Sequence, residues 1–273
     1  MSDIVLTAGV RSNLLQLQKT ADLITNTQTK LATGKRVNSA LDSPINFFTA
    51  QGLSNRASDL GGLLDSMSSG ISTIQAANNG ITSITKLVQS AQALVSQAQQ
   101  TTDPTVRAGL ASQYDAVLGQ INQMAADSSF NGINLLDSTN SANLTVTLNE
   151  SGSSSVTVNA VDFTAAGLGL ANSNNNWATT ADITLAATDL TAGLTMLRSQ
   201  AQSFGSNLST VQIRQDFTKA MINTLQTGAD GLTLADSNEE GANLLALQTR
   251  QQLSTTALSL ASQASQAVLR LFQ

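Results

Sequence analysis

Apolar residues recur in alternating steps of three and four along most of this chain of 273 residues, a spacing that suits little besides long, packed helices. Between positions 14 and 31, Leu14, Leu17, Ala21, Ile24 and Leu31 share one face, and the segment stops at Thr33-Gly34-Lys35-Arg36. Glycine past the last turn and cations near the negative helix end are C-terminal signals. A second helix is predicted from Phe47 to Ala98, its stripe running through Leu60, Leu64, Met67, Ile71, Ile74, Asn78, Ile81, Thr85, Val88, Gln92 and Val95. Only Gly61-Gly62 threatens to interrupt it. Thr101-Thr102-Asp103-Pro104 then supplies a cap and a proline for the first turn of a third helix, which ends before Phe130-Asn131-Gly132.

The period changes in the middle. Leu144 to Leu148 and Val156 to Val158 alternate around a turn-rich stretch, which predicts a small β-hairpin. Helical spacing returns with Leu190, Leu194, Leu197, Ala201, Phe204, Leu208 and Val211, and Gly228-Ala229-Asp230-Gly231 is predicted to break it. The last segment carries Leu244, Leu247, Leu258, Ala261, Val268 and Phe272, with Leu253, Leu260, Ala264, Ala267 and Leu271 on an adjoining stripe. The expected fold is therefore mainly α, a long antiparallel helical bundle or coiled coil with a small β-hairpin. Two parts are expected, residues 1–40 with 234–273, and residues 41–233.

The first and last helices, each about 45 Å long at 1.5 Å per residue, expose apolar seams too wide for a solvated monomer. If they pair with each other, the outer stripe of the last helix still needs cover, which favours copies of the same chain in open, non-closing contacts. Gln251, Ser254 and Ser265 lie in that seam. Either they lower its apolar area and let hydrogen bonds set the register, or they are low-cost filler.

Composition removes most chemistries. The chain has no His and no Cys, so imidazole- or thiolate-based nucleophiles, disulfides and the usual zinc sites are absent. With 13 Lys and Arg against 18 Asp and Glu it is acidic, which argues against a nucleic-acid partner. The start of the chain shows no basic segment followed by an apolar one, and no run of about 18 apolar residues occurs, so neither a cleaved secretory signal nor a membrane partner is expected.

Two motifs have sharper readings than they support. Asp236-Ser237-Asn238-Glu239-Glu240-Gly241 matches the first half of a calcium loop, but its twelfth position is Leu247, and a helix start with Ser237 and Glu240 as a capping box is preferred. Gly34-Lys35 lacks the earlier glycine and the following hydroxyl of a phosphate loop. Neither a metal nor a cofactor is expected. Trp177 is expected to pack over the hairpin.

Taken together, several of these segments resemble bacterial flagellin. Leu31-Ala32-Thr33-Gly34-Lys35-Arg36-Val37-Asn38-Ser39-Ala40-Leu41-Asp42 is similar to the family's N-terminal signature, with Gly34, Arg36, Asn38 and Asp42 as its marked positions. Phe130-Asn131-Gly132 followed by Leu135-Leu136 resembles its Phe-Asn-Gly element, and Leu234-Ala235-Asp236-Ser237 with the final Val268 to Phe272 resembles its C-terminal end. The resemblance implies a structural subunit of the extracellular flagellar filament. It also implies terminal helices that form the inner core, with Leu14, Leu17, Ile24, Leu31, Leu244, Leu247, Leu258, Ala261, Val268 and Phe272 as the assembly seam. Implied partners are other copies of the chain, the flagellar cap, junction proteins, an export chaperone and the type III export apparatus. About 50 residues fill the space where larger members carry outer domains, so a minimal subunit is expected.

One departure concerns the patch that the vertebrate innate receptor reads in enterobacterial-type relatives. An ungapped match on Gly70-Ile71-Ser72 aligns Gln89 and Leu94, but puts Ser90 and Gln92 where those relatives have arginines and Ala93 where they have a glutamate. Weak recognition is expected. Two other readings stay open: a hook–filament junction protein, which shares such terminal helices, and an enzyme using paired carboxylates such as Asp59 and Asp65.

Overall fold

The computed structural model describes residues 8–271, without the side chains of Ser265 and residues 268–271. In chain order the elements are α1 (Ala8–Thr33), α2 (Pro44–Gln100), α3 (Pro104–Asp127), β1 (Ser129–Phe130), β2 (Ile133–Asn134), β3 (Leu144–Thr147), β4 (Ser155–Val158), α4 (Thr180–Thr233) and α5 (Ser237–Leu271). A 3₁₀ turn, Asn174–Trp177, precedes α4. They form two compact units, the first built from the two ends of the chain, up to Asn55 and from Thr224 on, the second from Arg56–Asn223. Both boundaries fall inside helices, α2 and α4, so no loop signal marks them.

In the first unit α1 and α5 pack against each other, and because the end of α1 meets the start of α5 the pair is antiparallel. The covered face of α1 carries Leu17, Thr20, Ile24 and Thr27 in steps of three and four. Threonine at two of these positions keeps the seam thin. The Thr20 hydroxyl donates to Gln16 O at 2.8 Å, so it enters the seam already satisfied within its own helix.

α4 does not break at Gly228-Ala229-Asp230-Gly231 but continues to Thr233. Ala229 is buried, and a Cβ on Gly228 would lie 3.4 Å from Leu53 Cδ1, so tertiary packing of α4 on α2 outweighs a glycine penalty of about 1 kcal/mol each. α2 likewise passes through Gly61-Gly62 without interruption.

The second unit holds the larger core. The predicted stripe of α2 is buried or half-buried from Leu60 to Val95, and from Leu64 on its apolar members share one core with Leu110, Tyr114, Leu118 and Ile121 of α3 and Leu190, Leu197, Phe204 and Val211 of α4. Asp103 caps α3, its carboxylate accepting from Thr105 N and Val106 N at 2.8 and 3.4 Å. Arg107, buried without a carboxylate, donates from Nε to Thr101 O at 2.7 Å, just past the end of α2. The hairpin forms as predicted, β3 pairing antiparallel with β4 from Leu144↔Val158 to Thr147↔Ser155. Trp177 does not lie over it. Its ring is fully buried against Tyr114 of α3, with centroids 5.0 Å apart, and burial pushes the tyrosine pKa up to about 12.

Gly80 marks the tightest approach to α2. An added Cβ would collide with the Ser128 hydroxyl and come within 2.6 Å of Leu136 Cδ1, whereas Gly62, exposed in the same helix, faces nothing within 4 Å. The two therefore predict opposite signs. Gly80→Ala costs about 1–3 kcal/mol by overpacking, while Gly62→Ala raises stability by about 0.5–1 kcal/mol, both read from denaturant unfolding.

Candidate assembly surface

α1 ends because Gly34 turns left-handed, with φ +67°, a conformation that L side chains reach only with strain. The chain then pairs with the link between α4 and α5. Thr233 O accepts from Arg36 N at 2.7 Å and Val37 N at 3.2 Å, and Gly34 O accepts from Ala235 N at 3.0 Å. Lys35 and Leu234 thus form an antiparallel bridge, and Arg36 Nη2 reaches Leu232 O at 3.5 Å. One side-chain oxygen organises the next turn: Asp42 Oδ2 accepts from Asn38 N and Ser39 N, each at 2.9 Å, and from the Ser39 hydroxyl at 3.3 Å. Gly34, Arg36, Asn38 and Asp42 are therefore parts of one turn. The backbone donors of Ser39 and Asn38 favour the ionised carboxylate and hold the Asp42 pKa below its ordinary 3.8.

A step further along the helix pair, Lys30 Nζ lies 3.0 Å from Glu240 Oε1, with the glutamate largely buried. This displaces the expected capping box. Asp236 caps α5 instead, its carboxylate accepting from Asn238 N at 2.8 Å and Glu239 N at 3.3 Å, which leaves Glu240 free to turn towards α1. The half-match to a calcium loop is simply the cap and first turn of this helix.

The expected seam residues divide. Ile24 is buried, Leu17 and Leu31 half-buried, and Leu244, Leu247, Gln251, Ser254, Leu258 and Ala261 form the half-buried stripe of α5. Leu14 lies outside it, 40% exposed, and Leu15, Leu23, Leu245, Leu253 and Leu260 are also exposed. Phe272 and the side chain of Val268 lie outside the described residues. Sequence reasoning missed Thr20, Thr27 and the Lys30–Glu240 pair, because it looked for a seam of large apolar residues. The recurrence of Thr20 and Thr27 at seven-residue spacing was the available signal.

Phe130, Asn131 and Gly132 belong to the second unit. Asn131 and Gly132 have φ of +49° and +79°, forming the two-residue turn between β1 and β2. Just beyond, Asn134 donates from Nδ2 to Ala125 O at 2.8 Å and Ala126 O at 2.9 Å, satisfying carbonyls in the last turn of α3. Of the positions expected to match the innate-receptor patch, Gln89, Ser90 and Ala93 are exposed on α2 and Gln92 and Leu94 half-buried. Asp59 and Asp65 are both exposed on α2, six positions apart and so on different faces.

Long helices with thin seams, exposed leucines and a locked return between the chain ends define a structural subunit that associates with others of its kind. The chain belongs to the bacterial flagellin family. The family's N-terminal helical region matches residues 7–141 and its C-terminal helical region residues 188–272. Flagellin FljO of Caulobacter vibrioides is 30% identical over 274 residues, with 100% of this chain and 99% of that one covered. A flagellin of Brucella melitensis is 26% identical over 283 residues with both chains fully covered. A crystal structure of Bacillus cereus flagellin is similar at 20% identity with a TM-score of 0.49, covering 55% of this chain and 86% of that one. Members of this family are structural subunits of the flagellar filament, and no helix among the described residues is long and apolar enough to cross a membrane.

The lowered Asp42 pKa fixes the sign of a pH effect. The turn's stabilisation is present above about 3.8, the value of an unfolded carboxyl, and is lost as pH falls through the lower folded value. The Asn38 and Ser39 amide resonances are expected to titrate with a midpoint below pH 3.8, and Asp42→Asn abolishes that transition.

Proposed function

We propose that this flagellin polymerises through its terminal helices, with residues 1–40 and 234–273 as the inner filament core and residues 41–233 as the shell outside it. The observation that carries the reading is the set of exposed leucines on the α1–α5 pair, since Leu14, Leu15, Leu23, Leu245, Leu253 and Leu260 stay uncovered when the two helices have paired. Single exposed leucines are ordinary. Leu245, Leu253 and Leu260 fall on one side of α5, a stripe that association would cover. Buried Ile24 and the half-buried Leu17, Leu31, Leu244, Leu247, Leu258 and Ala261 hold the pair together, and the exposed leucines join it to other copies.

The further partners follow from filament growth at the far end of an extracellular fibre. They are the export chaperone and type III apparatus that carry the chain out, the junction proteins on which it starts and the cap under which it folds. The role is mechanical, without catalysis, cofactor, nucleic acid or membrane. Full-length similarity to named flagellins supports the filament subunit over a junction protein. The missing arginines at Ser90 and Gln92 make the innate-receptor surface a poor multi-donor contact, so purified monomer is expected to signal weakly in a receptor reporter assay, and full-strength signalling would contradict this.

Seeding tests the assembly reading. Purified chain added to sheared filaments at neutral pH should extend them as seen by electron microscopy, and a chain truncated after Leu244 should not. Growth by the truncated chain would remove α5 from the seam.

A further inference from the structure

Asn-Gly occurs twice in the chain, as Asn79-Gly80 and Asn131-Gly132, and the fold treats the two copies in opposite ways. Asn79 sits inside α2, where Gly80 N belongs to the helical hydrogen-bond ladder and Gly80 is buried beside Ser128 and Leu136. Nothing there can move without opening the helix. Asn131 and Gly132 are exposed, at the tip of a ladder only two rungs long, Phe130↔Ile133 and Ser129↔Asn134. Ladders of this size open readily. No hydrogen bond within the described residues holds the Asn131 carboxamide or the Gly132 N–H, and a Cβ on Gly132 would meet nothing within 4 Å. Electrophile and nucleophile are free to turn towards each other.

We propose that Asn131 is a site of spontaneous succinimide formation, with water as its co-reactant. Gly132 N gives its proton to solvent and attacks Asn131 Cγ, so that a new C–N bond closes the ring. The Cγ–Nδ2 bond breaks and the amide leaves as ammonia. Water then opens the ring at either carbonyl. One product carries an aspartate side chain on the ordinary backbone, and the other, an isoaspartate, routes the main chain through Cβ and Cγ and lengthens it by a methylene.

The two products act differently on the fold. Asp-Gly suits the same two-residue turn as Asn-Gly, so the first keeps the turn and adds a negative charge shortly after the negative end of α3. The isoaspartyl link spoils the register of Phe130↔Ile133 and Ser129↔Asn134, and Asn134 is the residue whose amide satisfies Ala125 O and Ala126 O. Asn131 is thus a slow chemical switch on the C-terminal end of α3, and it stands whether or not the chain polymerises.

Full-length chain incubated at neutral pH, with both Asn-Gly peptides followed by mass spectrometry, tests the site, and the same chain in guanidinium chloride gives the unrestrained rate. In denaturant both asparagines should convert alike. In the folded chain Asn131 should convert within about tenfold of that rate, to aspartate and isoaspartate, while Asn79 lags by at least about a hundredfold. Asn131→Gln should remove the conversion at 131 and leave Asn79 unaltered. In the separated isoaspartyl form, amide exchange should rise at Leu136 and in the last turn of α3, but not in Asn131→Asp. An Asn131 that reacts no faster than Asn79 in the folded chain would overturn the site. Unchanged exchange at the end of α3 in the isoaspartyl form would overturn the switch.

Discussion

Two backbone carbonyls, those of Gly34 and Thr233, bind the first unit together. Through them the turn after α1 and the link before α5, about 200 positions apart in sequence, become one short antiparallel ladder. Everything about the helix pair follows from that lock. It sets the register in which Lys30 meets Glu240, and it places Thr20, Ile24 and Thr27 in the covered face rather than their neighbours. Gly34 is required for its left-handed backbone and Asp42 for the two amides it gathers, while Arg36 and Asn38 act mainly through main-chain groups. A signature that reads as a string of unrelated residues is one folded turn.

The α1–α5 seam is weak by design of its residues. Thr20, Thr27, Gln251 and Ser254 occupy positions where a permanent coiled coil would carry leucine or isoleucine, and six further leucines stand outside the seam. The thin inner seam sets pairing and register. The outer leucines carry apolar area that a solitary chain leaves in water, and in the proposed assembly covering it supplies the free energy of association. The second unit is built on the opposite plan. Its core is closed by Met67, Ile84, Tyr114, Trp177 and Phe204, all fully buried.

Most of the helical layout was legible in the sequence because periodicity reports burial directly. Every stripe residue named in α2 is buried or half-buried, and the Asp103-Pro104 start of α3 is capped as read. The errors share one cause. Gly228-Gly231, the Ser237–Glu240 capping box and the position of Trp177 were judged from local propensity, and in each case a tertiary partner decided otherwise: α2 through Leu53, α1 through Lys30, and α3 through Tyr114. The unit boundaries in mid-helix carry no local mark at all.

If the outer leucines are the surface that polymerisation covers, amide hydrogen exchange measured on monomer and on filament separates the two units most directly. The account predicts strong added protection in α1 and in residues 244–261 of α5 on assembly, with the core of the second unit, from Met67 to Val95 and from Leu190 to Val211, protected almost equally in both states. Equal protection of α5 before and after assembly would contradict it.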